Sequence, residues 1–158
     1  MTPESVRADI DAFDDGIYLN TGASSPAPRR VIDATAGYLE HQEVDAALGE
    51  GAYGAAYAAF DAARERIASF VGTDPEAIAL TESTSDGISR IAGAIDWEPG
   101  DVVVRTDAEH PAGIVPWWSL ERRGVETRVL PTHEGRIDMD EYHDLVADAK
   151  LVCLSSIT

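Results

Sequence analysis

Apolar positions keep helical spacing through the first half of this chain, then contract into short blocks parted by turns. Val6, Ile10 and Phe13 share one helical face, which predicts a short amphipathic opening helix over residues 3–13. Residues 17–19 predict a brief strand, and residues 20–28, NTGASSPAP, a loop dense in turn formers and small residues. Val31, Thr35, Tyr38, Leu39 and Gln42 predict a helix from Arg29 towards Leu48, broken by GEGAYG at 49–54. Tyr53, Ala56, Tyr57, Phe60, Ala63, Ile67, Phe70 and Val71 then trace one face of a long helix that Gly72 ends, a stripe expected to be core.

From residue 78 the pattern becomes strand, turn, helix. Residues 78–80 predict a strand, Thr81, Ser83, Thr84, Ser85 and Asp86 a hydroxyl-rich turn, and Ile88, Ile91, Ala92 and Ile95 a helix. After a turn at 98–101, the unbroken β-branched run Val102, Val103, Val104 suits a parallel strand covered on both faces. A helix over 112–123, a strand over 125–130, a helix over 139–147 and a strand over 151–154 follow. This alternation argues for right-handed crossovers and a largely parallel α/β sheet.

Ligands of such sheets collect beyond the carboxyl ends of the strands, and two polar segments are placed there. The first is the hydroxyl cluster. Free N–H groups and the positive dipole end of a helix starting near Ser83 suit a phosphate, although Ser83 with Asp86 three residues on is also an ordinary helix cap. The second holds Asp107, Glu109 and His110, of which His110 is the candidate for proton chemistry. His41, His133 and His143 read as bystanders on helix or hairpin surfaces. No grouping has metal-ligand spacing.

Composition narrows the partners. The 158 residues carry 29 acidic against 12 basic side chains, a formal net charge of -17, and Lys150 is the one lysine. Such a surface repels nucleic acid and anionic membrane, so neither is assigned as a partner. An acidic, alanine-rich, lysine-poor chain suits solution at high salt, which points to a halophilic source. No stretch is long and apolar enough to span a bilayer and the first residues lack a signal-peptide pattern, so a cytoplasmic protein is expected. Cys153, within the apolar run LVCL, excludes an internal disulfide and reads as an inert buried thiol.

Taken in order, YLNTGASSPAP (18–28), AARERIASFVG (62–72), IALTESTSDGI (78–88), PGDVVV (99–104), EHPAGIVPW (109–117) and the closing LVCLSSIT resemble the N-terminal part of the class V aminotransferase family. That family comprises fold-type I pyridoxal-phosphate enzymes, among them cysteine desulfurases, selenocysteine lyases and isopenicillin N epimerase-like proteins. The resemblance implies a three-layer αβα arrangement, with residues 1–50 as an N-terminal arm and helices and 51–158 as the first part of the cofactor-binding domain. It implies pyridoxal 5'-phosphate as cofactor, an amino acid as substrate and a homodimer when the chain is intact. Thr84 and Ser85 would hold the cofactor phosphate, and His110 would stack on the pyridine ring and move protons at the substrate. Asn20, Gly22, Ala23 and Ser24 would lie in a loop near the substrate entrance.

The chain also departs from that pattern. The family's Schiff-base lysine and the aspartate facing the ring nitrogen lie much further along, a family asparagine falls just after Thr158, and the desulfurase cysteine falls beyond the chain. Lys150 precedes the last predicted strand, at the end opposite the expected pocket, and reads as a surface lysine. The expectation is an N-terminal portion of such an enzyme, inactive alone. The alternative is a non-catalytic fragment or binding module that keeps a phosphate-binding edge.

Overall fold

The structure is a computed structural model that describes residues 2–49 and 51–155; Met1, Glu50 and the last three residues of LVCLSSIT lie outside the described part. The chain divides into two units, residues 1–79 and 80–158.

In the second unit the valine run heads β1 (Val102–Thr106), with Val103 and Val104 both fully buried. β1 pairs in parallel with β2 (Glu126–Leu130) on one side and β5 (Leu151–Cys153) on the other, in registers that set Val103 opposite both Thr127 and Leu151. Successive side chains of a strand point to opposite faces, so β1 supplies two cores. Val103 packs with Ala92, Trp97, Trp117, Leu120 and Val125, which belong to α4 (Thr84–Ala94), α5 (Val115–Trp118) and the segments that follow them. Val102 and Val104 pack with Leu130 against Ile137, Tyr142, Leu145 and Val146, mostly from α6 (Met139–Val146). Helices on both faces of a parallel sheet make this unit a three-layer αβα arrangement, as the alternation predicts. A two-stranded hairpin, β3 (Thr132–His133) with β4 (Arg136–Ile137), precedes α6.

In the first unit, α1 (Pro3–Arg7) is closed by a Thr2–Ser5 capping box. A 3-10 turn, Asp11–Phe13, follows where one continuous helix was expected. α2 (Arg29–Glu40) runs into a π-helical turn, His41–Asp45, in which His41 Nδ1 lies 3.6 Å from Asp45. Ion pairs from Arg29 to Asp11 and from Arg30 to Asp9 fasten its start to the preceding arm. α3 (Ala52–Val71) ends at Gly72, whose φ of 76° is a left-handed conformation that glycine adopts without a Cβ clash.

Four expectations are corrected. Residues 17–19 and 78–80 form no strand; Ile17 and Leu19 are exposed, and Ile78 is extended but has no ladder partner. The helix expected over 112–123 is three short pieces, Pro111–Gly113, α5 and Glu121–Arg123. Pro116 explains the break: it lacks an N–H and its ring would strike a carbonyl one turn earlier, so a helix containing it starts just before it. The aromatic stripe of α3 is not core, since Tyr53, Tyr57, Phe60 and Phe70 are exposed. The buried residues of that helix are Ala55 and Ala68, small side chains that let neighbouring backbone come close.

Candidate functional site

Residues 98–101 return the chain from α4 into the amino end of β1, so α4 runs against the strand and opens towards its carboxyl end. Ser83 is the N-cap, and its Oγ accepts from the Asp86 amide at 3.1 Å. The Asp86 carboxylate accepts from the Glu82 amide at 3.3 Å and from Arg90 Nε at 2.9 Å. Arg90 first, and the Glu82 amide second, hold the Asp86 carboxyl below its usual range. With Asp86 thus paired, the amides and hydroxyls of Thr84 and Ser85 have no acceptor or donor partner among the described residues. Two unpaired amides and two hydroxyls at the positive end of a helix suit a phosphate, so the donor set fits the group expected from the sequence.

His110 stands four residues past Thr106, the last residue of β1, and one past a buried glutamate. It caps the turn Pro111–Gly113, which packs against α4. Its ring is exposed, and its Nδ1 accepts from the Ala112 amide at 3.2 Å. With Nδ1 an acceptor, the neutral ring carries its proton on Nε2.

Beneath His110, Glu109 is 8% exposed. Its carboxylate accepts from Thr106 Oγ1 at 2.8 Å, the Ser155 amide at 2.8 Å and the Ser155 hydroxyl at 2.6 Å. Burial alone would raise this carboxyl; the Ser155 hydroxyl and amide, then Thr106 and the charge of Arg105, outweigh it and hold the group below the usual glutamate range. A Cβ on Gly113 would stand 3.0 Å from Glu109 Oε2, so the turn carrying His110 rests directly on this carboxylate. Asp107 faces elsewhere and accepts from the Thr132 amide and hydroxyl, fastening the hairpin to the end of β1.

The remaining candidates fall into separate places. Asn20 accepts at its carbonyl from the Ala23 and Ser24 amides, which makes a turn of Asn20, Gly22, Ala23 and Ser24 in the first unit. Lys150 lies at the amino end of β1, where its Nζ donates to the Asp96 carbonyl at 2.5 Å and to Asp101 at 2.7 Å, over the Trp97 ring. It is therefore an anchored amine at the end of the sheet away from His110. Burial, then the charge of Glu109, push the Cys153 thiol up, which suits an unreactive sulfur. Among the described residues no group of three or more His, Cys, Asp or Glu side chains is arranged to hold a metal ion, and no helix is long and apolar enough to cross a membrane. The pattern of charged residues does not reveal the buried role of Glu109; the available signal is a glutamate three residues beyond the threonine that ends a β-branched strand.

Known proteins resemble this chain in sequence and fold. A family model for aminotransferase class-V matches residues 17–158. The probable cysteine desulfurase of Methanothermobacter thermautotrophicus is 34% identical over 163 residues, an alignment spanning 100% of this chain and 40% of that protein. The apo cysteine desulfurase of Thermococcus onnurineus superposes with a TM-score of 0.82 at 27% identity, over 98% of this chain and 40% of that one. The cystine C–S lyase C-DES, in a variant solved with glycine covalently linked to its PLP cofactor, shares the fold with a TM-score of 0.84 at 21% identity, over 94% of this chain and 40% of its own. The chain thus spans about 40% of the length of the relatives it matches.

Proposed function

Because this chain belongs to the aminotransferase class-V family, we propose that it supplies the phosphate-binding and ring-facing part of a cysteine desulfurase-like enzyme that uses pyridoxal 5'-phosphate on an amino acid. One observation carries the reading: the unpaired amides and hydroxyls of Thr84 and Ser85 open on the helix against which the His110 turn packs. In this reading, residues 1–50 act as an arm and residues 51–158 as the first part of the cofactor domain. The Asn20 to Ser24 turn serves the substrate entrance, and the intact protein is a cytoplasmic homodimer.

Thr84 and Ser85 would hold the phosphate by backbone and hydroxyl donors, fixing one end of the cofactor. The exposed His110 ring would lie against the pyridine and carry a proton on Nε2 towards the substrate, because Nδ1 is engaged by Ala112. When bound, the cofactor supplies an electron sink for bond cleavage at the amino acid. Glu109 ties the end of β1 to the segment after β5 through hydrogen bonds from Thr106 and Ser155, next to the turn that His110 caps.

Titrating the protein with pyridoxal 5'-phosphate and with pyridoxal, followed by cofactor absorbance, tests this. The phosphate ester is expected to bind at least about tenfold more tightly, and Thr84→Ala with Ser85→Ala to remove that difference. Equal binding of both ligands would refute the phosphate site.

A second reading is favoured by Lys150. Held by Asp96 and Asp101 at the far end of β1, the one lysine of this sequence is not available to a cofactor beside His110. These 158 residues by themselves then bind without turning over, as a binding module would. A borohydride-trapped adduct on Lys150 would overturn it. The excess of acidic side chains further suits a salt-rich cytoplasm; equal stability in dilute buffer and in molar salt would contradict that.

A further inference from the structure

We infer that Glu109 is a positioning residue for His110: its carboxylate ties the end of β1, the segment after β5 and the turn Pro111–Gly113 into one seat that fixes which ring nitrogen of His110 faces outward. The inference deepens the proposed function, and it rests on His110 being the ring that meets the cofactor.

A buried carboxylate is unfavourable unless its oxygens are hydrogen-bonded, and an apolar side chain of similar size would fill the same space without that demand. Here both oxygens are engaged. Oε1 takes the Thr106 hydroxyl from β1 and the Ser155 amide beyond β5, and Oε2 takes the Ser155 hydroxyl. Donors at the end of β1 and just beyond the neighbouring β5 give the carboxylate one orientation rather than a choice of rotamers.

That orientation reaches His110 by contact. Gly113 sits on Oε2 so closely that a methyl group there would stand 3.0 Å away, and Ala112 beside it is buried. The two residues therefore have little freedom to rotate their peptide planes. The Ala112 amide is the group that donates to His110 Nδ1, and the Gly113 amide donates to the His110 carbonyl at 2.8 Å. Oxygen, glycine, amide and imidazole form one line of contacts, and its far end is an Nε2–H directed away from the turn. Loss of the carboxylate frees the turn, and the ring can then carry its proton on either nitrogen.

The test uses the full-length protein labelled with 15N-histidine, in which long-range proton–nitrogen NMR reads the tautomer of each ring. In the wild type at alkaline pH, His110 is expected to be the Nε2–H tautomer. In Glu109→Ala the ratio of Nε2–H to Nδ1–H is expected to fall about tenfold, the effect of losing one ordinary hydrogen bond. His41, His133 and His143 should not change. Glu109→Gln keeps an acceptor for Thr106 and Ser155, and is expected to restore most of the preference. Gly113→Ala lifts the turn from an intact carboxylate and should weaken the same preference, so the idea stays testable if the alanine variant at 109 does not fold. An unchanged His110 tautomer in folded Glu109→Ala, or in Gly113→Ala, overturns the inference. The readout needs no cofactor, so a protein that takes up no pyridoxal 5'-phosphate refutes the proposed function without altering the tautomer result.

Discussion

Among the described residues, those beyond residue 80 bury two tryptophans, two leucines, four valines and two alanines, whereas those before it bury one isoleucine and three alanines. The difference comes from how each unit finds its neighbours. β1 is covered on both faces by segments close in sequence, α4 and α5 on one side and α6 on the other, so short crossovers bring the core together. In the first unit the apolar side chains lie on long helices, and Leu48, Tyr53 and Phe70 are each more than four-fifths exposed. Hydrophobic spacing shows that a helix has an apolar side; it does not say that the same unit supplies the surface to cover it.

The largest expected effect falls on Leu130, which is fully buried beside Val102 and Val104. Leu130→Ala should destabilise the second unit by about 2–5 kcal/mol. All three tryptophans lie in this unit, so urea unfolding followed by tryptophan fluorescence reports it. A loss below about 1 kcal/mol would mean that this core is no better packed than the helices before it.

Acid should also act on the second unit first. Glu109 is held below its ordinary pKa, so it binds a proton more readily when unfolded than when folded. Its contribution is complete above the unfolded value of about 4.3 and is lost as pH falls through the lower folded value. The acid limb of tryptophan-detected unfolding should therefore flatten in Glu109→Gln, and an unchanged limb would assign that stability to other carboxylates.

Ser83→Ala removes one cap bond and should weaken α4 by about 1 kcal/mol, while cofactor phosphate affinity falls less than in the Thr84 and Ser85 variants. The smallest effect is expected for Phe70→Ser, within about 0.5 kcal/mol. A large loss there would show that the exposed stripe of α3 is covered in solution and would narrow the contrast between the units.

The residues that were legible are those whose partners are near in sequence. Val102 to Val104 predicts a strand covered on both faces, and Ser83 with the Ile88, Ala92, Ile95 spacing predicts the capped helix. His110 is placed correctly at the carboxyl end of β1 by following a strand in a parallel sheet. Residues 17–19 and 78–80 read as strands because they are short apolar runs headed by β-branched Ile, but a strand exists only with a ladder partner, which local letters do not reveal. The helix expected over 112–123 breaks at Pro116, which has no N–H to donate to the preceding turn. Glu109 was legible as a polar residue near the site and not as a buried one, because two of its three donors come from Ser155, 46 residues away.

The two outer strands of the sheet differ in a way that gives it a direction. β2 carries Glu126 and Arg128, and Arg128 reaches Asp148 as well, so a row of charges guards that flank against a foreign backbone. β5 is Leu-Val-Cys, without a charge, and among the described residues its outward amides and carbonyls have no ladder partner. The uncharged flank beside Val152 is therefore the edge that leaves an added strand unopposed, and a lysine introduced at Val152 would guard it as Arg128 guards the other.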